Sequence, residues 1–304
     1  MYKKIKKGLK NPLHICEYIQ RKFFSTWLKN DRTYIKWNYF FGMGRFPNLD
    51  NPQTYNEKLQ WLKLNDIHPE YARLVDKYEA KEYVRGVLGD EYIIPTLGVW
   101  DRFEDIDFEK LPNQFVLKTT HDSGGVVVCS DKKSFDKVAA KKKLNKSLRN
   151  NYFLDHREYP YKHVPPRIIA EEFMVDESGT ELKDYKFFCF NGKCRMLFVA
   201  TDRNMGDVKF DFFDENFNHL PFRQGHPWAD KKIKKPVGFD KMIELSEGLS
   251  KGFPHVRVDL YDINGQIYFG ELTFFHFSGN VPFHPDEWDL KIGQWLKLPI
   301  EKDL

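Results

Sequence analysis

Two Asn-Gly dipeptides in the last third of the chain, Asn191-Gly192 and Asn264-Gly265, set most of what this sequence can become. Asn-Gly is the preferred centre of a two-residue hairpin turn, because both residues accept positive φ. The first dipeptide lies between Asp184 to Phe190 and Lys193 to Thr201, the second between Val256 to Tyr261 and Gln266 to Leu272. All four runs are rich in β-branched and aromatic residues. Two antiparallel hairpins are therefore expected. Residues 239–251 separate them and read as a helix through Met242, Ile243, Leu245 and Leu249.

The first half alternates between helix and short strand. Ile15, Ile19, Phe23 and Trp27 predict a helix over 13–30. Thr54-Tyr55-Asn56-Glu57 has the spacing of a capping box, followed by Leu59, Trp61 and Leu62. His68-Pro69 opens a helix whose buried face is Leu74, Val75, Tyr78, Val84 and Leu88, ended by Gly89. Strands are expected at Tyr92-Ile93-Ile94, Gln114 to Lys118, Gly125 to Cys129 and from Ile168. A Lys-rich helix over 134–150 should face Phe135, Val138, Leu144 and Leu148 inward.

Composition narrows the class. With 41% hydrophobic and 30% charged residues, wholesale disorder is excluded. At 304 residues about two domains are expected. No run of about 18 apolar residues is present, so no transmembrane helix is expected. The basic start lacks an apolar core for a secretory signal. The four cysteines form no CxxC pair, which points to a reducing, cytoplasmic setting. A net charge of +4 is too small to argue for nucleic acid. Five lysines and no acid fall in residues 1–10, with Tyr2, Ile5 and Leu9 at helical spacing. Residues 1–28 are thus either a peripheral contact with an anionic membrane surface or a solvated terminus.

Four segments carry groups that could do chemistry. Phe115 to Lys118 leads through His121-Asp122-Ser123-Gly124-Gly125 into another strand. A lysine before a glycine loop can meet a polyphosphate, although taken alone the segment reads first as a plain hairpin loop. Ile168 to Ala170 ends in Glu171-Glu172-Phe173-Met174, either a solvated strand end or the edge of a nucleotide site. Asp184, Lys186, Phe188 and Phe190 share one strand face. Arg257-Val258-Asp259 and Glu271-Leu272-Thr273 form the fourth segment. Carboxylates on adjacent strands suit a hard divalent cation, provided they face the same way. A two-residue Asn264-Gly265 turn places Asp259 and Glu271 on opposite faces. A three-residue loop, Ile263-Asn264-Gly265, brings Arg257, Asp259 and Glu271 to one face, and a metal site therefore requires it.

The order and spacing of these segments resemble the ATP-grasp carboxylate–amine ligases. The last hairpin is similar to the metal-binding hairpin of D-alanine–D-alanine ligases. Asn51-Pro52-Gln53-Thr54-Tyr55-Asn56-Glu57-Lys58, then Asp76-Lys77, then Asp184-Tyr185-Lys186-Phe187-Phe188 resemble the TupA-like group, associated with bacterial cell-surface polymers. The resemblance covers roughly residues 50–285. It implies an α/β (α+β) fold in which two α+β subdomains, 67–170 and 171–304, grip ATP behind a mainly helical extension, 1–66.

The resemblance also implies roles. Lys77 and Lys118 would bind ATP phosphates under a loop of Ser123, Gly124 and Gly125. Glu171 and Glu172 would flank adenine, with backbone contacts from Phe173 and Met174. Asp184 would hold ribose, and Lys186 the nucleotide or the acceptor. Asp259, Glu271 and Thr273 would hold Mg²⁺, and Arg257 would meet the oxyanion. His276, Ser278 and Gly279 follow the metal hairpin, where such ligases bind substrate, and His276 reads either as a substrate contact or as a core or surface histidine. Arg203 and Lys209 either reach the γ-phosphate or are plain surface charges. Thr273 stands where many ligases have Asn, and the usual Rossmann-like first domain is not evident. The implied reaction joins a carboxylate, such as a uronic acid of a surface polysaccharide, to an amine or amino acid. A glycosyltransferase is the alternative, though Asp286-Glu287-Trp288-Asp289 holds no DxD motif. A nucleotide-sensing scaffold is the other.

Overall fold

The computed structural model describes Ser25 and residues 28–176, 182–202 and 208–299. The 1–28 segment apart from Ser25 and Leu28, most of the 13–30 helix and Arg203 lie outside the described residues. Helix α1 (Asp31–Met43) is capped by Asn30 and stopped by Gly44 in the left-handed region. Helix α2 (Tyr55–Asn65) carries the predicted capping box: the Thr54 hydroxyl accepts from the Glu57 amide, and the Glu57 carboxylate accepts from Thr54. The helix predicted from His68 to Leu88 is two helices, α3 (Tyr71–Val75) and α4 (Glu79–Leu88), with Gly89 at the end as expected. Asp76 causes the break. Its backbone is extended at ψ 120°, and its carboxylate accepts from the Tyr78 and Glu79 amides where the next helix starts.

Strands β1 (Thr96–Trp100), β2 (Phe115–Thr119), β3 (Val126–Cys129) and β4 (Ile168–Glu172) form an antiparallel sheet in the order β1-β4-β2-β3. β1 stands downstream of the strand expected at Tyr92-Ile93-Ile94, where a 3-10 turn over Asp90–Tyr92 is found instead. Because β4 continues through Glu172, this sheet closes just past the 170/171 boundary drawn from sequence. Helix α5 (Lys137–Leu148) covers it with Ala140 and Leu144. Val138 points to solvent at 80% exposure, while Phe135, Leu144 and Leu148 face the sheet as expected and Ala140 takes the place beside Leu144. A short helix, α6 (Tyr152–His156), and a 3-10 turn over Tyr159–His163 follow.

Strands β5 (Asp184–Phe190), β6 (Lys193–Thr201), β7 (Lys209–Asp214), β9 (His255–Ile263) and β10 (Gln266–Thr273) form the larger sheet, in the order β10-β9-β5-β6-β7. A small pair, β8 (Arg223–Gln224) and β11 (Phe283–His284), lies beside it. Helix α7 (Phe239–Leu249) packs on one face, with Phe187 against Phe239. Helices α2, α3 and α4 and the C-terminal α8 (Glu287–Trp295) join the same core. Trp288 packs on Phe222 and Trp295 on Phe190, both as packing residues. Every residue of β5 is buried because this central strand is covered on both faces. The two sheets thus have separate cores. Among the described residues no helix is long and apolar enough to cross a membrane.

His255 lies at the centre of the larger core. Its Nε2 accepts from the Tyr55 hydroxyl at 2.9 Å, and its Nδ1–H donates to the Cys189 carbonyl at 2.9 Å. These partners fix a neutral ring, and burial holds its pKa down at about 3. Between that value and the unfolded value of about 6.5 the unfolded chain binds one more proton than the fold. Stability contributed by this ring is therefore full above about pH 6.5 and is lost as pH falls. Urea unfolding of His255→Gln against the parent is expected to show an acid limb shallower by about 1.4 kcal/mol per pH unit. Parallel limbs in the two proteins would contradict a neutral buried ring.

Candidate active site

The hairpin β9–β10 turns through Asn264 at φ 54° and Gly265 at φ 89°, the two-residue type I′ geometry. Gln266 pairs with Ile263, so the three-residue loop required by the sequence argument is not what forms. The same-face arrangement arises elsewhere. Phe269 pairs with Leu260, but Glu271 pairs with Asp259, and Gly270 is the extra residue of a β-bulge. A Cβ on Gly270 would meet the Asp259 carbonyl oxygen and the Tyr261 ring at 3.1 Å, so the bulge is tight enough to favour glycine. Register beyond it is 259 opposite 271 and 257 opposite 273, two residues from the expected 259 opposite 269 and 257 opposite 271. On the other side of β9, Lys186 pairs with Asp259 and Phe188 with Arg257.

Arg257 organises the resulting cluster. Its guanidinium donates to both oxygens of Asp259 at 2.7 and 2.8 Å, to Glu271 Oε1 at 3.1 Å and to Thr273 Oγ1 at 2.9 Å. Lys186 Nζ bonds Asp259 Oδ2 and stands 3.6 Å from Asp184. Burial opposes the Arg257 charge, but Asp259 and Glu271 outweigh it and hold the guanidinium above its usual range. Burial also opposes ionisation of Glu271, yet Lys186, Arg257 and Lys77 pull its carboxyl down to about 2. Burial raises Asp259 against the pull of Arg257 and Lys186, whose donated bonds require the carboxylate form.

His276 is not an open substrate contact. It is 1% exposed, and its Nδ1 accepts from Arg257 Nη1 at 2.9 Å. The guanidinium cannot accept, so the ring is neutral with Nε2–H directed at Gln224 Oε1, 3.2 Å away. Burial and Arg257 push its pKa well down, in agreement. Its place in the fold is to orient Arg257. Ser278 and Gly279 are buried too: the Ser278 hydroxyl accepts from Lys63 Nζ at 2.7 Å, and Gln60 donates to the Gly279 carbonyl at 2.9 Å.

The smaller sheet brings its own cations. Lys118 Nζ lies 2.6 Å from Glu171 Oε2, and Lys81 Nζ lies 2.5 Å from Glu171 Oε1. Glu171 therefore holds two lysines instead of flanking a base, and only Glu172 of the pair is exposed. Phe173 and Met174 follow it in irregular chain. Lys77 sits in the helix break between α3 and α4. Its amide donates to the Thr120 carbonyl of the small sheet's loop at 3.1 Å. Its ammonium donates to the Asp122 carbonyl and feels both Glu271 and Lys118. Burial lowers its pKa against the pull of Glu271 and Asp122.

The loop over Ser123–Gly125 closes on Asp122, which accepts from the Thr119 and Ser147 hydroxyls and from the Gly124 and Gly125 amides. Both glycine amides thus face the buried carboxylate in this conformation, while Ser123 is exposed. Lys209 falls on the opposite face of the large sheet from Lys186, because Thr201 and Lys209 pair one step out of phase with Asp184 and Ala200. There it lines a lysine-rich cavity of about 740 Å³ together with Lys183 and Lys231 to Lys235, away from Arg257.

Residues 57–297 match the family described as TupA-like ATPgrasp. The chain belongs to this family. Family membership gives the ATP-grasp fold. Solved structures of low identity are also similar. D-alanine–D-alanine ligase from Bacillus anthracis, complexed with ATP, is 16% identical, with 66% of this chain and 53% of that chain covered, at TM-score 0.37. The Helicobacter pylori D-alanine–D-alanine ligase is 16% identical over 80% and 69%, at TM-score 0.42. A RimK domain ATP-grasp protein from Sphaerobacter thermophilus is 12% identical over 74% and 68%, at TM-score 0.39. The chain spans 53% and 59% of the first two ligase structures it matches. No curated protein matches it.

Sequence reasoning missed Lys81, which shares Glu171, and Gln224, which orients His276. It also missed Lys63 and Glu158, described below.

Proposed function

We propose that this TupA-like ATP-grasp protein uses ATP and Mg²⁺ to activate a carboxylate as an acyl phosphate and joins it to an amine or amino acid. The observation that carries this reading is Lys77, whose ammonium is within electrostatic reach of Glu271 on one sheet and Lys118 on the other. A polyphosphate lying between the sheets would meet Lys77, Lys118 and Lys186 together.

The donors fit a hard cation. Asp259, Glu271 and Thr273 offer carboxylate and hydroxyl oxygens on one face, as Mg²⁺ prefers. Glu271, with a 35% exposed side chain, is the open donor, whereas Asp259 is committed to Arg257 and Lys186. Bound there, Mg²⁺ would neutralise phosphate charge in transfer. The residues of the chain supply the rest. Lys77 and Lys118 hold phosphate oxygens, Ser123 stands at the loop tip, and Glu172, Phe173, Met174 and Asp184 offer the nucleoside's edge. Arg257, fixed by His276 and Asp259, receives the charge that develops on the carbonyl oxygen as the amine attacks. A bond forms from nitrogen to carbon, the carbon–oxygen bond to phosphate breaks, and phosphate leaves. A uronic acid of a surface polysaccharide, handled in the cytoplasm or at its membrane, is the carboxylate the family association favours.

Thermal unfolding with ATP·Mg²⁺ tests this. ATP at about 100 times its dissociation constant should add about 2.7 kcal/mol to stability. That gain should vanish in Lys118→Ala, and ADP release should need both a carboxylate and an amine. Stabilisation by a nucleotide-sugar alone would support glycosyl transfer instead.

A further inference from the structure

Glu158 is a buried carboxyl in the field of Arg257 that takes no part in the chemistry above. It is 2% exposed, on the irregular chain between α6 and the 3-10 turn over Tyr159–His163. Its carboxyl lies at the Ser278 hydroxyl, in the field of Lys63 and Arg257. Lys63 attracts it most strongly and makes no ion-pair contact with it. Its three donors go to Gln60 Oε1 at 3.0 Å, Ser278 O at 2.8 Å and Ser278 Oγ at 2.7 Å. Glu158 Oε1 is buried with no hydrogen-bond partner among the described residues. A buried, unsatisfied carboxyl oxygen is costly and is retained where something else supplies the partner.

The surroundings say what that partner is. Phe277, Ser278 and Gly279 all have positive φ, at 49°, 56° and 62°. Two of these are not glycine, so the turn is held against its own preference by Lys63 and Gln60. Those bonds fix the Ser278 hydroxyl beside Glu158. Tyr161 is half-buried, and its hydroxyl feels Glu158, Glu271 and Arg257. Ser278 stands in the same short turn as His276, whose Nδ1 accepts from Arg257 at 2.9 Å, so this turn links Glu158 to Arg257. A group bound at this turn would offer positive charge or donors to Glu158 and an oxyanion to Arg257.

We propose that Glu158, with the Ser278 hydroxyl, is the amine subsite: its free oxygen receives the ammonium group of the amine co-substrate and takes the proton that must leave before nitrogen attacks. The inference rests on the ligase reading above. The balance is simple. R–NH₃⁺ and the Glu158 carboxylate become R–NH₂ and the neutral acid, the amine lone pair forms the bond to the acyl carbon, and phosphate departs with the electron pair of the broken carbon–oxygen bond. The second nitrogen proton leaves with phosphate. Burial raises the Glu158 pKa to about 7 against the pull of Lys63, which suits proton acceptance at neutral pH.

The test compares two nucleophiles on the full chain with ATP·Mg²⁺ and a panel of glucuronate, galacturonate and amino-acid carboxylates. Hydroxylamine is already unprotonated at neutral pH and needs no proton acceptor, whereas glycine and L-alanine arrive as ammonium ions. Glu158→Gln should leave hydroxamate formation within about threefold of the parent while amide formation falls about 100-fold or more, with a raised KM for the amine. Equal loss with both nucleophiles, or unchanged amide formation, would overturn the subsite. Ser278→Ala, read by the same ratio, covers the case in which Glu158→Gln fails to fold. If the parent forms neither product with any carboxylate, the ligase reading fails and the subsite with it.

Discussion

Arg257→Met is expected to lower unfolding free energy by about 3–5 kcal/mol and turnover by about 100- to 1,000-fold. The stability loss follows from what the guanidinium leaves behind. Asp259 loses two donated bonds, Glu271 and Thr273 lose one each, and His276 Nδ1 faces an apolar side chain. Lys186 still pairs Asp259, which keeps the loss from being larger. The double variant Arg257→Met with Asp259→Leu separates the two effects. Replacing both members of a buried ion pair by apolar groups is often close to neutral for stability. Lys186 then keeps only Asp184, at 3.6 Å, so urea unfolding should recover part of the loss, while ADP release coupled to amide formation should not recover at all. Recovery of turnover in the double variant would remove Arg257 and Asp259 from the chemistry.

Glu171→Gln is the second large effect. The substitution leaves Lys81 and Lys118 facing each other across a neutral amide, at a cost of about 3–5 kcal/mol at pH 7. Lys81 cannot move away freely, because it also donates to the Ile94 carbonyl and the Thr96 hydroxyl, both at 2.8 Å. The effect has a pH signature. Burial opposes ionisation of Glu171, but Lys118 and Lys81 prevail and its pKa in the fold is depressed. Its stabilisation is thus complete above the unfolded carboxylate value of about 4.3 and is lost as pH falls through the lower folded value. The stability gap between parent and variant should be constant above about pH 5 and close on acidification. A gap that persists at low pH would mean that the amide disturbs packing and that charge is not the cause. ATP-induced stabilisation should shrink as well, because Lys118 loses the carboxylate that aims it.

The parts of this protein that were legible in the sequence are those fixed by neighbours in the chain. The Asn191-Gly192 turn, the Thr54 box, the Gly89 stop and the strand carrying Lys186 each depend on a few consecutive residues, and each forms as read. The same holds for the family, because its motifs are short and ordered. What was not legible is set by distant contacts. Gly270 looks like any strand glycine until the Asp259 carbonyl and Tyr261 ring close over it. The apolar run through Leu74, Val75 and Tyr78 hides the break that Asp76 makes. Val138 fits a helical stripe and still faces water, since the sheet beneath selects Ala140 and Leu144. Lys63, Glu158 and Ser278 are separated by long stretches of sequence, and no spacing rule links them.

The bulge at Gly270 has a consequence for how such a hairpin can vary. Pleat direction is a matter of parity, odd or even, counted from the turn. The turn at Asn264-Gly265 obeys its own local chemistry and leaves the wrong parity for two carboxylates to meet. One unpaired residue halfway down corrects it. The tip beyond Leu260 and Phe269 can then gain or lose residues in matched pairs, one on each strand, with no effect on the chemistry below. A single unmatched residue inserted between the tip and Gly270 would instead turn Glu271 and Thr273 to the far face, away from Arg257, while leaving the sequence of every functional residue intact.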